Sequence, residues 1–135
     1  LTIARRRFDN VTFLNLPDPR AIARTFTKGE SYTAFDSTDI IVCAGILPLW
    51  RNVGEAWMAT SPLIEKYKIF VAKNIRKIFK EIIFNLQLER VQTFVDSENM
   101  ASINLVERLG FKKEGLMRKY IGGRDFIRYA WVKEN

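Results

Sequence analysis

The chain has no histidine, one cysteine and a surplus of basic side chains. Without imidazole, Ser-His-Asp and Cys-His nucleophilic catalysis are excluded, and a zinc site loses its usual nitrogen ligand. Cys43 lies in the apolar run Ile40-Ile41-Val42-Cys43-Ala44. We therefore expect a buried structural thiol there, because nucleophilic cysteines need an electropositive, partly exposed setting. A lone thiol rules out a disulfide within the chain and suits a reducing cytoplasm. Chemistry is left to carboxylates, tyrosines, serines, lysines, backbone dipoles and any bound cofactor.

The formal charge of +7 suits three kinds of anion: nucleic acid, a polyanionic small ligand, or an acidic protein surface. Charge alone does not choose among them. The basic clusters are Arg5-Arg6-Arg7 and the lysines between residues 66 and 80. No apolar run approaches the roughly 20 residues that span a bilayer. No apolar core follows the N-terminal arginines, so a secretory leader is not expected. Leu1 in place of an initiator methionine leads us to expect a processed or trimmed chain.

Residues that could act need elements to hold them. With 135 residues, no repeat and no Pro/Gly-rich linker, the expectation is one domain over 1–135. In the first third, Thr2 to Phe8 reads as a strand and Val11 to Leu16 as a short apolar piece. Asp18-Pro19-Arg20 reads as a helix start running to about Thr27 and stopping at Gly29. Ser31–Phe35 and Asp39–Leu47 read as strands across the turn Asp36-Ser37-Thr38, with Pro48–Gly54 as a connection and Glu55–Thr60 as the next strand. From Leu63, Ile64, Tyr67, Val71, Ile75, Ile78, Ile82 and Leu86 recur at helical steps, opposite Lys66, Lys73, Lys77 and Lys80. Arg90–Asp96 alternates as a strand, and a helix from about Glu98 to Leu109 ends at Gly110. A closing hairpin pairs Phe111–Tyr120 with Asp125–Val132 across Gly122-Gly123. The order predicts an α/β fold, a mixed sheet with helices on its faces.

The run Asn99-Met100-Ala101-Ser102-Ile103-Asn104-Leu105-Val106-Glu107-Arg108-Leu109-Gly110-Phe111-Lys112-Lys113-Glu114-Gly115 resembles the closing signature of GNAT N-acyltransferases. It looks most like the branch that acetylates ribosomal-protein N-termini, with its N-x-x-S…[EK]-[RK]-L-G-F-x-x-E-G pattern. Arg118, Asp125 and Tyr129-Ala130 extend the likeness through the hairpin. The resemblance implies the GNAT fold, a central twisted, mostly antiparallel sheet flanked by helices. It also implies acetyl-CoA as cosubstrate and an amine acceptor. On that reading Trp57, Met58, Ala59 and Thr60 supply a splayed strand whose backbone pairs with the pantetheine arm, and the following helix N-terminus receives the pyrophosphate.

The family's phosphate loop carries [QR]-x-x-G-x-[GA]. The matching stretch here, Leu63 to Phe70, has no glycine, so Lys66 and Lys68 become the phosphate candidates, or else part of a solvated helix face. Asn99 is a helix cap or a cofactor contact, and Ser102 a packing residue or a second contact. The tyrosine the family often uses toward the departing thiolate falls at Leu105 or Val106. Glu55 matches the acidic residue that deprotonates an amine, or is a plain strand-start residue. An N–H near Met58 would meet the oxyanion. Tyr120 and Tyr129 are candidate acids, or packed rings with a hydrogen-bonded rim.

Three functions compete. The first is acetyl transfer from acetyl-CoA to a primary amine by direct attack, with a peptide or protein N-terminus among the candidate acceptors. The second is a catalytically inactive interaction or structural protein, similar to short phage-type GNAT-like proteins in Ala44–Trp50 and Gly54–Trp57. The third is nucleic-acid binding through the basic helix and Arg5-Arg6-Arg7. A protein partner fits the apolar segment Leu47–Trp50.

Overall fold

The computed structural model describes residues 2–5, 30–36 and 39–134. The expected helix start at Asp18, the apolar piece Val11–Leu16 and Arg6-Arg7 lie outside the described residues. Among the described residues seven strands form one sheet: β1 (Thr2–Arg5), β2 (Glu30–Asp36), β3 (Asp39–Trp50), β4 (Val53–Thr60), β5 (Arg90–Asp96), β6 (Lys112–Ile121) and β7 (Arg124–Val132), in the order β1-β2-β3-β4-β5-β7-β6. Neighbours are antiparallel except β4 and β5. The expected mixed, mostly antiparallel sheet is what forms. Among the described residues, no helix is long and apolar enough to cross a membrane.

Parallel strands need a crossover, and α1 (Lys68–Asn85) supplies it between β4 and β5. Its buried stripe is Val71, Ile75, Phe79 and Ile82. Phe79 takes the place expected for Ile78, which is only partly buried. The helix also starts later than the periodicity from Leu63 indicated. Pro62–Lys66 is a 3-10 turn in which the Ser61 side chain accepts from the Leu63 N–H at 3.3 Å. Tyr67, at φ −118° and ψ 20°, then breaks regular geometry before α1 begins. Leu63, Ile64 and Tyr67 still pack against the core, so the apolar spacing persists through a change of helix type.

The stretch Pro48–Gly54, expected as a connection, is mostly strand. β3 runs to Trp50, with a register shift between Pro48 and Trp50, and β4 resumes at Val53. A shift at that point tolerates a proline, which has no N–H for the ladder. Asn52 makes the tight turn at φ 66°. Both faces of the sheet centre are buried: Val42, Ala44 and Ile46 on one, Ile41 and Cys43 on the other. Cys43 is the buried thiol expected, 3.3 Å from the Thr33 hydroxyl.

β5 shows the alternation read from its sequence, with Val91, Thr93 and Val95 buried. In α2 (Met100–Arg108), Asn99 is the N-cap and its side chain accepts from the Ser102 N–H at 3.1 Å. Gly110 ends the helix at φ 92°, and Phe111 enters the core. Gly122 and Gly123, both at positive φ, turn the β6–β7 hairpin. β6 is an edge strand whose pairing with β7 shifts register between Lys113 and Gly115 and again between Met117 and Ile121.

Two measurements follow from this packing. A Cβ on Gly54 would lie 2.5 Å from Ile46 Cγ2, a methyl on a fully buried β-branched side chain. Gly54→Val should cost about 1–3 kcal/mol, read as a lower urea midpoint at unchanged slope. An unchanged midpoint would mean that Ile46 moves aside freely. The second concerns Asp96, whose carboxylate accepts from Arg124 at 2.7 Å and from the Glu98 N–H at 2.9 Å. The Arg124 hydrogen bond holds its carboxyl below the usual range. The stabilisation is therefore present above the unfolded value of about 3.9 and lost as pH falls through the lower folded value. The stability gap between the parent and Asp96→Asn should close on acidification, whereas a gap constant with pH would show that Asp96 does not act through its charge.

Candidate functional site

β4 and β5 pair at three rungs only, Val53↔Arg90, Gly54↔Val91 and Glu55↔Gln92. Beyond them β4 stays paired with β3 out to Val42↔Thr60, and β5 with β7 out to Asp96↔Phe126. The two strands therefore keep their outer neighbours while their facing edges part. The Thr93 hydroxyl bridges the first open step, donating to the Ala56 carbonyl at 2.8 Å. Ala56 thus directs its backbone groups toward β5. Strand groups alternate sides, so the next pair aimed into the gap is the N–H and C=O of Met58.

The gap opens into a cleft of about 680 Å³. Ala56, Trp57, Met58 and Ala59 form its β4 wall, Thr93 to Asp96 its β5 wall, and Asn99, Ser102, Leu105 and Val106 of α2 its side. Residues of both strand parities line it, so the cleft passes through the plane of the sheet. Five of the residues expected to contact a cofactor meet here: Trp57, Met58, Ala59, Asn99 and Ser102. Thr60 ends the same strand. Leu105 and Val106, where the resemblance would place a tyrosine, line the cleft with apolar side chains.

Lys66 and Lys68 are not among the cleft's lining residues. Lys68 pairs with Glu65 at 2.6 Å, and both are exposed. The Lys66 ammonium stands 5.4 Å from the centre of the Tyr67 ring.

Glu55 sits at the last paired rung, where the splay begins, and is 9% exposed. Both carboxylate oxygens accept from Arg128 Nη1, at 2.9 and 3.2 Å. The Arg128 guanidinium lies 5.8 Å from the centre of the Phe94 ring. Phe94, Tyr120 and Phe126 pack edge to face, with centroids 5.2 to 5.8 Å apart. Tyr120 is thereby joined to Glu55 through Phe94 and Arg128, with 46% of its surface exposed. Tyr129 has a different setting: it is buried, and its hydroxyl donates to Glu107 of α2 at 3.1 Å. That bond ties α2 to β7, and burial together with it raises the Tyr129 pKa.

Arg128 and Thr93 were missed at the level of sequence. Arg128 had a weak signal, an arginine on a β-rich strand whose neighbours Ile127 and Tyr129 alternate inward. Thr93 had none beyond its place in an alternating strand, since its role depends on where β4 leaves β5.

No family model matches the chain. A Bacillus licheniformis protein called uncharacterized N-acetyltransferase p20 is 38% identical over 53 residues, which are 39% of this chain and 30% of that protein. The chain therefore spans about a third of that relative's length. Among solved structures, an IAA acetyltransferase from Bacillus cereus aligns over 98% of this chain and 99% of its own, at 18% identity and TM-score 0.77. A Bacillus subtilis acetyltransferase in complex with CoA aligns over 98% of each chain at 15% identity and TM-score 0.73. A GNAT family acetyltransferase from Elizabethkingia anophelis with acetyl-CoA bound aligns over 98% of this chain and 97% of its own, at 18% identity and TM-score 0.71. With near-complete coverage by such structures, a sheet splayed between β4 and β5 and an Asn-capped helix beside the split, this chain has the GNAT fold.

Proposed function

We propose that the chain transfers an acetyl group from acetyl-CoA to a primary amine. The observation that carries this reading is the divergence of β4 from β5 after three rungs. It leaves the Met58 backbone groups facing a cleft with no strand beside them. Buried backbone donors and acceptors demand partners, and an extended pantetheine arm offers an amide for such an edge. Proteins of the same fold with CoA and acetyl-CoA bound support the choice of cosubstrate.

In this reading the thioester lies along β4 and the amine reaches it from the Glu55 side of the sheet. The neutral amine attacks the thioester carbon, forming a C–N bond. Glu55 takes the amine proton and the Met58 N–H receives the oxyanion. The C–S bond then breaks and the thiolate is protonated. Tyr120 is the hydroxyl we assign to that proton: it is not among the cleft's lining residues, but its ring packs edge to face on Phe94, which is. Trp57, Ala59 and Thr60 shape the strand edge, and Asn99 and Ser102 the helix side. Lys66 and Lys68 serve as exposed charges near the start of α1. The acceptor we favour is a peptide or protein N-terminus, as in the resembled branch.

Titration calorimetry with acetyl-CoA tests the reading directly. We expect saturable binding and a thermal shift that grows as RT ln(1 + [L]/Kd). Glu55→Gln should leave that binding intact and lower turnover of a peptide amine by about 10²-fold or more. No binding at millimolar acetyl-CoA would overturn the assignment.

A further inference from the structure

A second concavity lies at the opposite end of the sheet, where β5 begins and β7 ends. Its volume is about 670 Å³, and it backs onto the cleft through the shared residues Phe79, Leu109 and Phe111. Nothing in the acetyl-transfer reading uses it.

Its charge is one-sided. Arg76, Lys80, Arg108 and Lys133 line it against one carboxylate, Glu89. Arg76, Lys80 and Phe84 are spaced by four along α1, so they form one stripe. Arg76 donates to the Arg108 carbonyl at the end of α2, which fixes the two helices around the groove. The opposite wall is held by the Lys133 N–H donating to the Glu89 carbonyl at 2.8 Å. The Asn52 side chain closes the lower corner by donating to the Gln87 carbonyl at 2.6 Å.

The floor is apolar, made by Ile83, Leu88, Leu109, Phe111 and Trp131. At its rim Phe84 is 75% exposed. A concave apolar floor ringed by cations matches an anchor-in-pocket interface with a charged rim. The Arg76–Lys80–Phe84 stripe offers nucleic acid two cations and a ring, but the concave apolar floor is an anchor for a side chain and leaves a phosphate backbone no partner. We propose that this groove docks an acidic segment of a partner protein, seating an apolar side chain on the floor with carboxylates on the four cations.

The test uses fluorescence anisotropy with a capped, labelled hexapeptide in which four acidic residues flank a Leu-Phe pair. Its controls are the amide analogue, with Asn and Gln replacing the acids, and an oligothymidylate of equal charge. The acidic peptide should bind saturably and lose affinity with added salt. Lys80→Glu and Phe84→Ser should each weaken it by about 10-fold. Both positions are exposed, so the thermal unfolding midpoint should stay at the parent value. The proposal is overturned by absence of saturable binding, by equal binding of the amide analogue, or by tighter binding of the oligonucleotide. Parent-like affinity in both variants would also overturn it.

Discussion

Everything in the candidate site depends on β4 having a complete neighbour on one side and a brief one on the other. Pairing with β3 fixes its path, and three parallel rungs fix its distance from β5 at one end. Gly54 lies within those rungs because Ile46 and Leu88 occupy the space a side chain would take. Where the rungs stop, a threonine hydroxyl stands in for the missing strand at Ala56. The next backbone groups have no such substitute. The sheet stays one body because α1, the crossover between these same strands, packs Val71, Ile75, Phe79 and Ile82 into the core beside the opening.

The polar face of the sheet is braced by ion pairs that skip a strand. Arg128 on β7 reaches Glu55 on β4 across β5, and Arg90 on β5 reaches Glu114 on β6 across β7. The guanidinium lowers the Glu114 pKa, and the carboxylate raises that of Arg90. The half-exposed Arg90–Glu114 pair contributes little to stability singly, whereas Glu55 and Arg128 are largely covered. The larger effect of both pairs is geometric, since each ties strands that share no backbone hydrogen bonds. The Glu55 pair ties the two halves of the sheet at the point where they part.

The second half of the chain was legible because its signals are local. β5 alternates on every residue, Asn99 and Gly110 bracket α2, and a Gly-Gly pair turns the hairpin. The strand ending at Trp50 was harder, because Pro48 argues against a strand unless a register shift absorbs it. The start of α1 was misread because 3-10 and α turns keep similar apolar spacing over a few residues, while their ends point side chains differently. Lys66 and Lys68, on either side of that change, are not among the cleft's lining residues. Glu55 and the β4 residues came from the resemblance, whereas Arg128 and Thr93 needed the sheet order, which no local pattern contains.

The edge of the sheet at β6 bears on how copies of the chain meet. An open strand edge is a template for further pairing, and natural sheets blunt it with charge and irregularity. β6 does both. Lys112, Lys113, Arg118 and Lys119 are exposed along it, its register breaks twice, and Lys119 adopts φ 51°. A second chain laid against this edge would bring like charges together and find no straight ladder to join. Growth of the sheet by strand addition is thus blocked at this margin, and crowded solutions of the protein should favour contacts between side-chain surfaces over fibrous stacking there.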